Sequence, residues 1–433
     1  MEKIKLIDYV KEAAAEGKKV NEGIDYSFSG SISLEVLNNY LNRTITYCAY
    51  PDGQPFGKPY INEEYSAECI RGILSVGAKL ITRFFVEWTY TKGCEAGHEA
   101  MKALMAEAHE IDPDIVFEAC IFETCGTGDS LIEIPAYVFE AFGLPFEKRN
   151  FDYDKMVFDD GFGKSQWAAQ WHIPDITKLE TQMFFYYRGC RYIDLGIESI
   201  HFGQTNLMGT NEKEINFPCY TKVINMIREY AKTHARRGYI ITNSHASNFI
   251  GTDGINLLDF HGSPMRLRTA KGETDHDVSE TTPQFCDFYP GEDMLYGTKF
   301  HPQTAPYLKH IKATNYSGWT SEDYPYLLEY DNWGGRNNRS VENNICCIDR
   351  FNYDEISWLV NQPDWFRRVF MRYAVVKVEA LKDNGHVAMP GKRTSFNRLT
   401  LKMEDYVMNR NSDACPTGRD DEDTIRDIWK DLR

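Results

Sequence analysis

The chain has no stretch approaching the roughly 20 consecutive apolar residues that a membrane-spanning helix needs. Its N-terminus, Met1-Glu-Lys-Ile-Lys-Leu-Ile-Asp-Tyr-Val10, has no apolar core followed by a small-residue cleavage site. No membrane partner is expected. Basic residues are also scarce: 48 Lys and Arg stand against 64 Asp and Glu, giving a net charge of -16. A broad polyanion-binding surface needs clustered Lys and Arg, so no nucleic-acid partner is expected either. A disulfide framework is missing too. The 11 cysteines are odd in number and scattered, and Cys346 and Cys347 are adjacent. Cys120 and Cys190 fall inside a predicted strand and a predicted helix. That usage fits reduced, buried thiols and a cytoplasmic protein.

Several motifs are absent. Gly126-Thr-Gly-Asp129 is not followed by the Gly-Lys-Ser/Thr of a phosphate-binding loop, and no Gly-x-Ser-x-Gly or His-Glu-x-x-His occurs. Cys125 has no neighbouring His to activate it. No cofactor is implied. The triplet Asn42-Arg-Thr44 has the form of a glycosylation acceptor but stands alone. There is no internal repeat and no low-complexity tract, and nothing in the pattern fixes an oligomeric state.

What is present is a series of short apolar runs, each ending in a polar or acidic residue. They cover 44–50, 81–88, 115–123, 198–204, 239–245, 257–261, 310–316 and 326–331. Strands buried on both faces read as nearly continuous apolar runs, and helical segments separate most of these. Gly77 stops one such segment, and Thr177-Lys-Leu-Glu180 and Asn352-Tyr-Asp-Glu355 have the form of capping boxes. The pattern predicts an α/β fold, a (β/α)8 TIM barrel over 44–382 with long loop insertions at 125–176 and 262–309. A helical extension precedes it over 1–43, and a second extension packs on it over 383–433. Between His245 and Leu257 no full helix fits, so the fifth crossover is expected to be a loop.

In such barrels chemistry gathers at the C-terminal ends of the strands. Glu123 and Glu329 end predicted strands three and eight. Glycosidic hydrolysis needs two carboxyl groups, one donating a proton and the other ionised as nucleophile or base. The apolar neighbours Cys120, Phe122 and Cys125 favour a raised pKa and the acid role for Glu123. Tyr330 and Asn332 favour an ionised Glu329. Arg83 and Glu87 share one strand parity: if it faces inward they form an inner ion pair, and if not Trp88 faces the site and Glu87 meets a helix. Glu118 has the opposite parity to Glu123 and reads as a buried structural carboxylate unless a bulge reverses it. His201, Gln204, His245, Asp259, His261, Asn315, Asp331 and Asn332 close or follow strands as candidate substrate-binding groups. Trp319 and Trp333 are the expected sugar-stacking rings. The bland alternatives are salt bridges for the carboxylates, turn formation for Asn243, and loop anchoring for the tryptophans.

The strand ends carrying Glu, His and Asn resemble TIM-barrel glycoside hydrolases of the retaining type, at the level of architecture over about 44–382. In many of those enzymes an Asn-Glu pair after strand four supplies the acid and strand seven ends in the nucleophile. Here the two acids fall at predicted strands three and eight, and no Asn-Glu pair precedes Glu123. The resemblance implies a carbohydrate substrate and predicts that Glu329→Ala abolishes turnover while leaving folding intact. Two other readings stay open. One is a divalent-metal-dependent sugar isomerase, epimerase or aldolase with Asp259 and His261 among its ligands. The other is a sugar-binding barrel without catalysis.

Overall fold

The computed structural model describes residues 6–49, 63–166, 169–246, 249–265, 268–269, 286–287, 311–331, 355–397 and 402–432. Asn332 and Trp333, and nearly all of 266–309, lie outside these residues. The fold is mixed α/β, built on one curled sheet. Its strands are β1 (Thr44–Tyr47), β2 (Leu80–Phe85), β3 (Val116–Cys120), β4 (Ser199–His201), β5 (Ile241–Ser244), β6 (Phe260–Pro264), β7 (Tyr326–Glu329), β8 (Gly385–Val387), β9 (Met389–Asn397) and β10 (Lys402–Val407).

From β1 to β8 each strand pairs in parallel with the next in sequence order. β9 pairs in parallel with β1 on one side and antiparallel with β10 on the other. Only Ala388 separates β8 from β9, and its amide bonds to Leu328 O of β7. The run 385–397 therefore touches both the last and the first of the preceding parallel strands.

Helices Glu63–Val76, Cys94–Ile111, Leu179–Asp194 and Pro218–His234 connect the early strands and cover the outside of the sheet. They follow from the sequence: each carries a one-sided apolar stripe, and Gly77, at φ 78°, ends the first of them. Leu179–Asp194 and Pro218–His234 pack closely because Gly189 has no Cβ; one placed there would lie 2.6 Å from Ile227 Cδ1. Outward strand residues such as Phe117, Ala119, Ile121 and Ile200 pack with these helices in the main core.

Inside the curl the N-terminal ends of the strands are plugged. Leu80, Val116, Ile241, Phe260, Leu327 and Ala388 form one apolar cluster with Tyr26, Ile32 and the helix Leu34–Leu41. One layer above, the interior turns polar at Thr46, Thr82, Glu118, Ser199, Asn243 and Glu329.

Three expectations are corrected. The segment 310–316 is not a strand of the main sheet; Ala313–Thr314 pairs only with Thr320–Ser321 in a small antiparallel hairpin. Its place is taken by 385–397, assigned from sequence to the C-terminal extension, so Glu329 ends the seventh strand and not the eighth. The sixth strand starts at Phe260 instead of ending at His261, a slip of three residues. After Glu355 the chain forms two helices, Glu355–Val360 and Asp364–Glu379, separated at Pro363, since proline cannot supply the amide that a continuing helix needs.

The crossover from β5 to β6 contains no helix among the described residues, only an isolated bridge between Ile250 and Asn256. The terminal helix Glu422–Asp431 buries Ile425, Ile428 and Trp429. Arg71 and Ser75 of the first covering helix bond to Glu422, and Arg367 bonds to Asp421 at 2.7 Å. Among the described residues, no helix is long and apolar enough to cross a membrane.

Candidate active site

The C-terminal ends of the parallel strands surround a buried charge cluster. Its centre is Glu329, the last residue of β7, which is 2% exposed. Glu329 Oε2 accepts from Arg83 Nη2 at 2.6 Å and lies 3.3 Å from His245 Nε2. Arg83 Nη2 is also 2.7 Å from His245 Nε2. Asp331, two residues on, sits 3.8 Å from His245 and accepts from Arg393 Nη2 of β9 at 2.5 Å. Burial alone would push the Glu329 carboxyl up, but the Arg83 guanidinium and the adjacent His245 outweigh it. The carboxyl is held well below the usual carboxylate range.

Backbone geometry places Arg83 here. Its φ is 58°, a left-handed conformation rare for a residue with a side chain, and the β2–β3 register shifts between Ile81 and Phe85. The irregularity sends Phe84 and Phe85 together into the outer core, and returns Val86 and Trp88 to the mouth. Such a conformation costs on the order of 1–3 kcal/mol and is retained where the surroundings hold it. Here the Arg83 amide donates to Glu118 Oε1 at 3.1 Å while its side chain reaches Glu329.

A second line of groups runs below. Glu118 Oε2 accepts from Ser199 Oγ at 2.9 Å and from Asn243 Nδ2 at 2.5 Å. Asn243 Oδ1 is 2.6 Å from His201 Nδ1. His201 Nε2 is buried and has no hydrogen-bond partner. Burial, with the Glu329 charge nearby, pushes the Glu118 carboxyl up to about 7 against the opposing pull of Arg83. Burial, with Arg83 and His245 close by, pushes His201 well down, so its ring is neutral. The rings of His201 and His245 meet edge to face at 4.9 Å. Above them Cys48, Val86, Cys120 and Phe122 form an apolar patch capped by Trp88. Trp88 stacks on Phe122 at 4.2 Å and on Trp171, from the insertion, at 6.3 Å.

The structure thus brings Arg83, His201, His245, Glu329 and Asp331 together, and adds Glu118, Asn243 and Arg393. Other candidates lie elsewhere. Glu123 accepts from the backbone amide of Gln204 at 3.0 Å and from Gln204 Nε2 at 2.9 Å. It follows Ile121 of the outer core and braces the turn at Gly203 instead of facing Glu329. Gln204 is engaged by that same contact.

Glu87 does not pair with Arg83, because the irregularity at Arg83 breaks their shared parity. Glu87 lies outside, 3.3 Å from His98 Nε2 and 3.7 Å from Arg188 Nη2, beside a small cavity lined by Tyr90, Asp129 and Arg191. Burial opposes its charge, but the His98 hydrogen bond and Arg188 hold its pKa down.

Asp259, His261, Asn315 and Trp319 lie at the opposite, N-terminal ends of the strands. Asp259 accepts from Tyr239 Oη at 2.6 Å and Asn315 Nδ2 at 2.9 Å. His261 Nε2 meets Asn256 Nδ2 at 2.9 Å. Trp319 Nε1 donates to Ile32 O at 3.0 Å, anchoring the bottom plug. The three-residue slip of β6 is what moves Asp259 and His261 away from the mouth. The mouth's aromatic ring is Trp88, with Glu87 packed against the helices, which is the second of the two arrangements expected for this strand. Its signal was the β2 run itself, once Trp88 is counted from the irregularity at Arg83.

Two sets of side chains have the composition of metal sites: His245, Glu329 and Asp331, and Glu87, Cys94 and His98. Neither fits a cation. In the first, the Arg83 guanidinium already bridges Glu329 and His245, and Arg393 holds Asp331. In the second, Arg191 Nη2 lies 2.7 Å from His98 Nδ1 and supplies its hydrogen there, so the ring proton sits on Nε2, where a metal would bind.

No family model matches this chain, and no curated protein does. Solved structures match at low similarity. The isomalto-dextranase of Arthrobacter globiformis T6, complexed with panose, is 11% identical over 52% of this chain and 40% of its own, with a TM-score of 0.31. A GH27 β-L-arabinopyranosidase from Geobacillus stearothermophilus, complexed with arabinose, is 12% identical over 52% and 54%, at 0.30. The debranching enzyme of Nostoc punctiforme is 8% identical over 91% and 81%, at 0.37. The chain spans about half or less of the first two proteins. These neighbours are glycoside-acting enzymes, the class the sequence resembles. At such TM-scores nothing about this chain's site is taken from them.

Proposed function

We propose that this protein is a carbohydrate-active hydrolase on a closed (β/α)8 barrel, with Glu329 as the ionised carboxylate at the reacting sugar carbon. The run 385–397 supports the barrel, since it pairs in parallel with both β7 and β1. Glu329 carries the functional reading: a fully buried carboxylate, held ionised by Arg83 and His245, at the C-terminal end of a parallel strand. In this environment an anion is pre-organised against a developing oxocarbenium charge, or for attack on it. With 385–397 counted, Glu329 ends strand seven, where the resembled enzymes carry their nucleophile. Trp88, stacked on Phe122, offers an apolar face for a sugar ring.

The proton-donor role expected of Glu123 is not part of this proposal, which rests on Glu329; the Glu123 carboxylate accepts two hydrogen bonds from Gln204. Strand four ends in His201 and Gln204 instead of an Asn-Glu pair.

The test is turnover on a panel of aryl glycosides by wild type and Glu329→Gln, with circular dichroism showing that both are folded. Loss of at least a thousandfold in kcat for Glu329→Gln is expected. Equal rates on every substrate that wild type cleaves would reject Glu329. A rate that chelation abolishes and Mn²⁺ restores would favour the metal-dependent isomerase class, against the Arg83 geometry.

A further inference from the structure

On the carbohydrate reading above, we propose that His201 is a hydroxyl acceptor of the mouth and that Glu118, acting through Asn243, is the residue that positions it. The chain of contacts leaves little freedom. An ionised Glu118 has no hydrogen to give, so the Asn243 amide must present Nδ2 to it, across 2.5 Å. Oδ1 then faces His201 Nδ1 at 2.6 Å and accepts its hydrogen. A neutral imidazole carries one proton, so His201 Nε2 is left with a bare lone pair. That nitrogen is buried and unpartnered, and its ring lies between Phe122 at 6.3 Å and His245 at 4.9 Å.

A buried acceptor without a donor is costly, on the order of 1–3 kcal/mol, and calls for a partner. The groups facing it do not supply one. Arg83 of β2 directs Nη2 to His245 and Glu329 and leaves its buried Nε without a partner, while Ser199 of β4 is committed to Glu118, and Asn243 of β5 to Glu118 and His201. A sugar hydroxyl lying on the Trp88–Phe122 shelf has the donor that His201 lacks. A ligand without a hydroxyl at that point would leave the acceptor unpaired, which makes His201 a specificity-determining group.

Long-range proton–nitrogen NMR on histidine-labelled full-length protein tests this, with His201 assigned by a His201→Gln variant. On the alkaline side of about 7, where Glu118 is ionised, wild type should show His201 protonated at Nδ1 and bare at Nε2. Glu118→Gln can offer a hydrogen to Asn243 and allows its amide to turn. It should shift the ring toward the Nε2–H form and weaken binding of deoxynojirimycin by roughly tenfold. A merely structural Glu118 would leave the tautomer unchanged.

The second readout is the Nε2 shift of wild-type protein titrated with D-glucose, D-galactose and deoxynojirimycin, followed in parallel by calorimetry. Displacement of the Nε2 resonance on binding supports the proposal. A wild-type ring protonated at Nε2 overturns it, and so does calorimetric binding that leaves Nε2 unmoved; neither result touches the assignment of Glu329. Absence of binding by all three sugars, together with no turnover on the glycoside panel, removes the carbohydrate reading itself.

Discussion

Removing Glu329 should do more than stop chemistry. Glu329 and Arg83 are 2% and 4% exposed, and their contact is 2.6 Å. In Glu329→Ala the guanidinium stays buried without its counter-ion, for which the cost is about 3–5 kcal/mol. The loss is a large share of the 5–15 kcal/mol that stabilises typical domains. Glu329→Gln keeps an acceptor oxygen of similar shape and should lose only the charge-assisted part, about 1.5–3 kcal/mol. The double variant Arg83→Met, Glu329→Leu removes both charges and should be more stable than Glu329→Ala alone.

The pH dependence follows from the depressed carboxyl. Its stabilisation is fully present above the unfolded value near 4.5 and drains away as pH falls below that. Glu329→Ala should lack this acid limb. Urea unfolding followed by circular dichroism and tryptophan fluorescence measures all of these, given coincident transitions. A Glu329→Ala protein within about 0.5 kcal/mol of wild type, or a double variant that loses the sum of both singles, would refute the buried-pair reasoning. The sequence-based expectation is that Glu329→Ala leaves folding intact; the buried contact with Arg83 predicts a loss of stability instead.

Glu118 should act with the opposite sign. Its folded-state pKa is raised to about 7, so its contribution to stability is full below about 4.5 and is lost as pH rises through about 7. At about 1.4 kcal/mol per pH unit the loss reaches roughly 3 kcal/mol, and Glu118→Gln should flatten that part of the stability profile measured by urea unfolding. Gly203 has φ 57°, and a Cβ there would collide with the Glu123 carboxylate, so Gly203→Ala should cost about 1–3 kcal/mol in the same assay. Trp88→Ala should weaken deoxynojirimycin binding by roughly tenfold in calorimetry, through loss of the apolar shelf. An unchanged Kd would move the sugar site off Trp88.

Much of the architecture was legible from local patterns. Runs such as 81–88, 115–123 and 239–245 are apolar on both faces, which only a covered parallel sheet requires, and the helices between them carry their own stop and capping signals. The missing fifth helix followed from the few residues between His245 and Leu257. The errors came where short runs lacked a periodic marker. Leu257–His261 is apolar enough to read as a strand, yet pairing with Asn243 and Ser244 begins at Phe260. The true eighth strand hides in Gly385–Asn397, whose glycines, proline and basic residues do not look like a buried strand.

Composition and periodicity by themselves determined that this chain is an α/β protein with parallel strands and a net negative charge, because those properties depend on residue content or on residues near one another in sequence. They also marked Arg83, His201, His245, Glu329 and Asp331 as strand-end groups. Which carboxylates face one another was decided only by tertiary structure. One backbone irregularity at Arg83 reverses the parity after it, sends Glu87 outside, and brings a guanidinium from strand two onto a carboxylate from strand seven. Pairing across 246 residues of chain has no local signature, so Glu118 and Glu329 emerge as the inward carboxylates, and Glu123 as a brace, only once the sheet has curled.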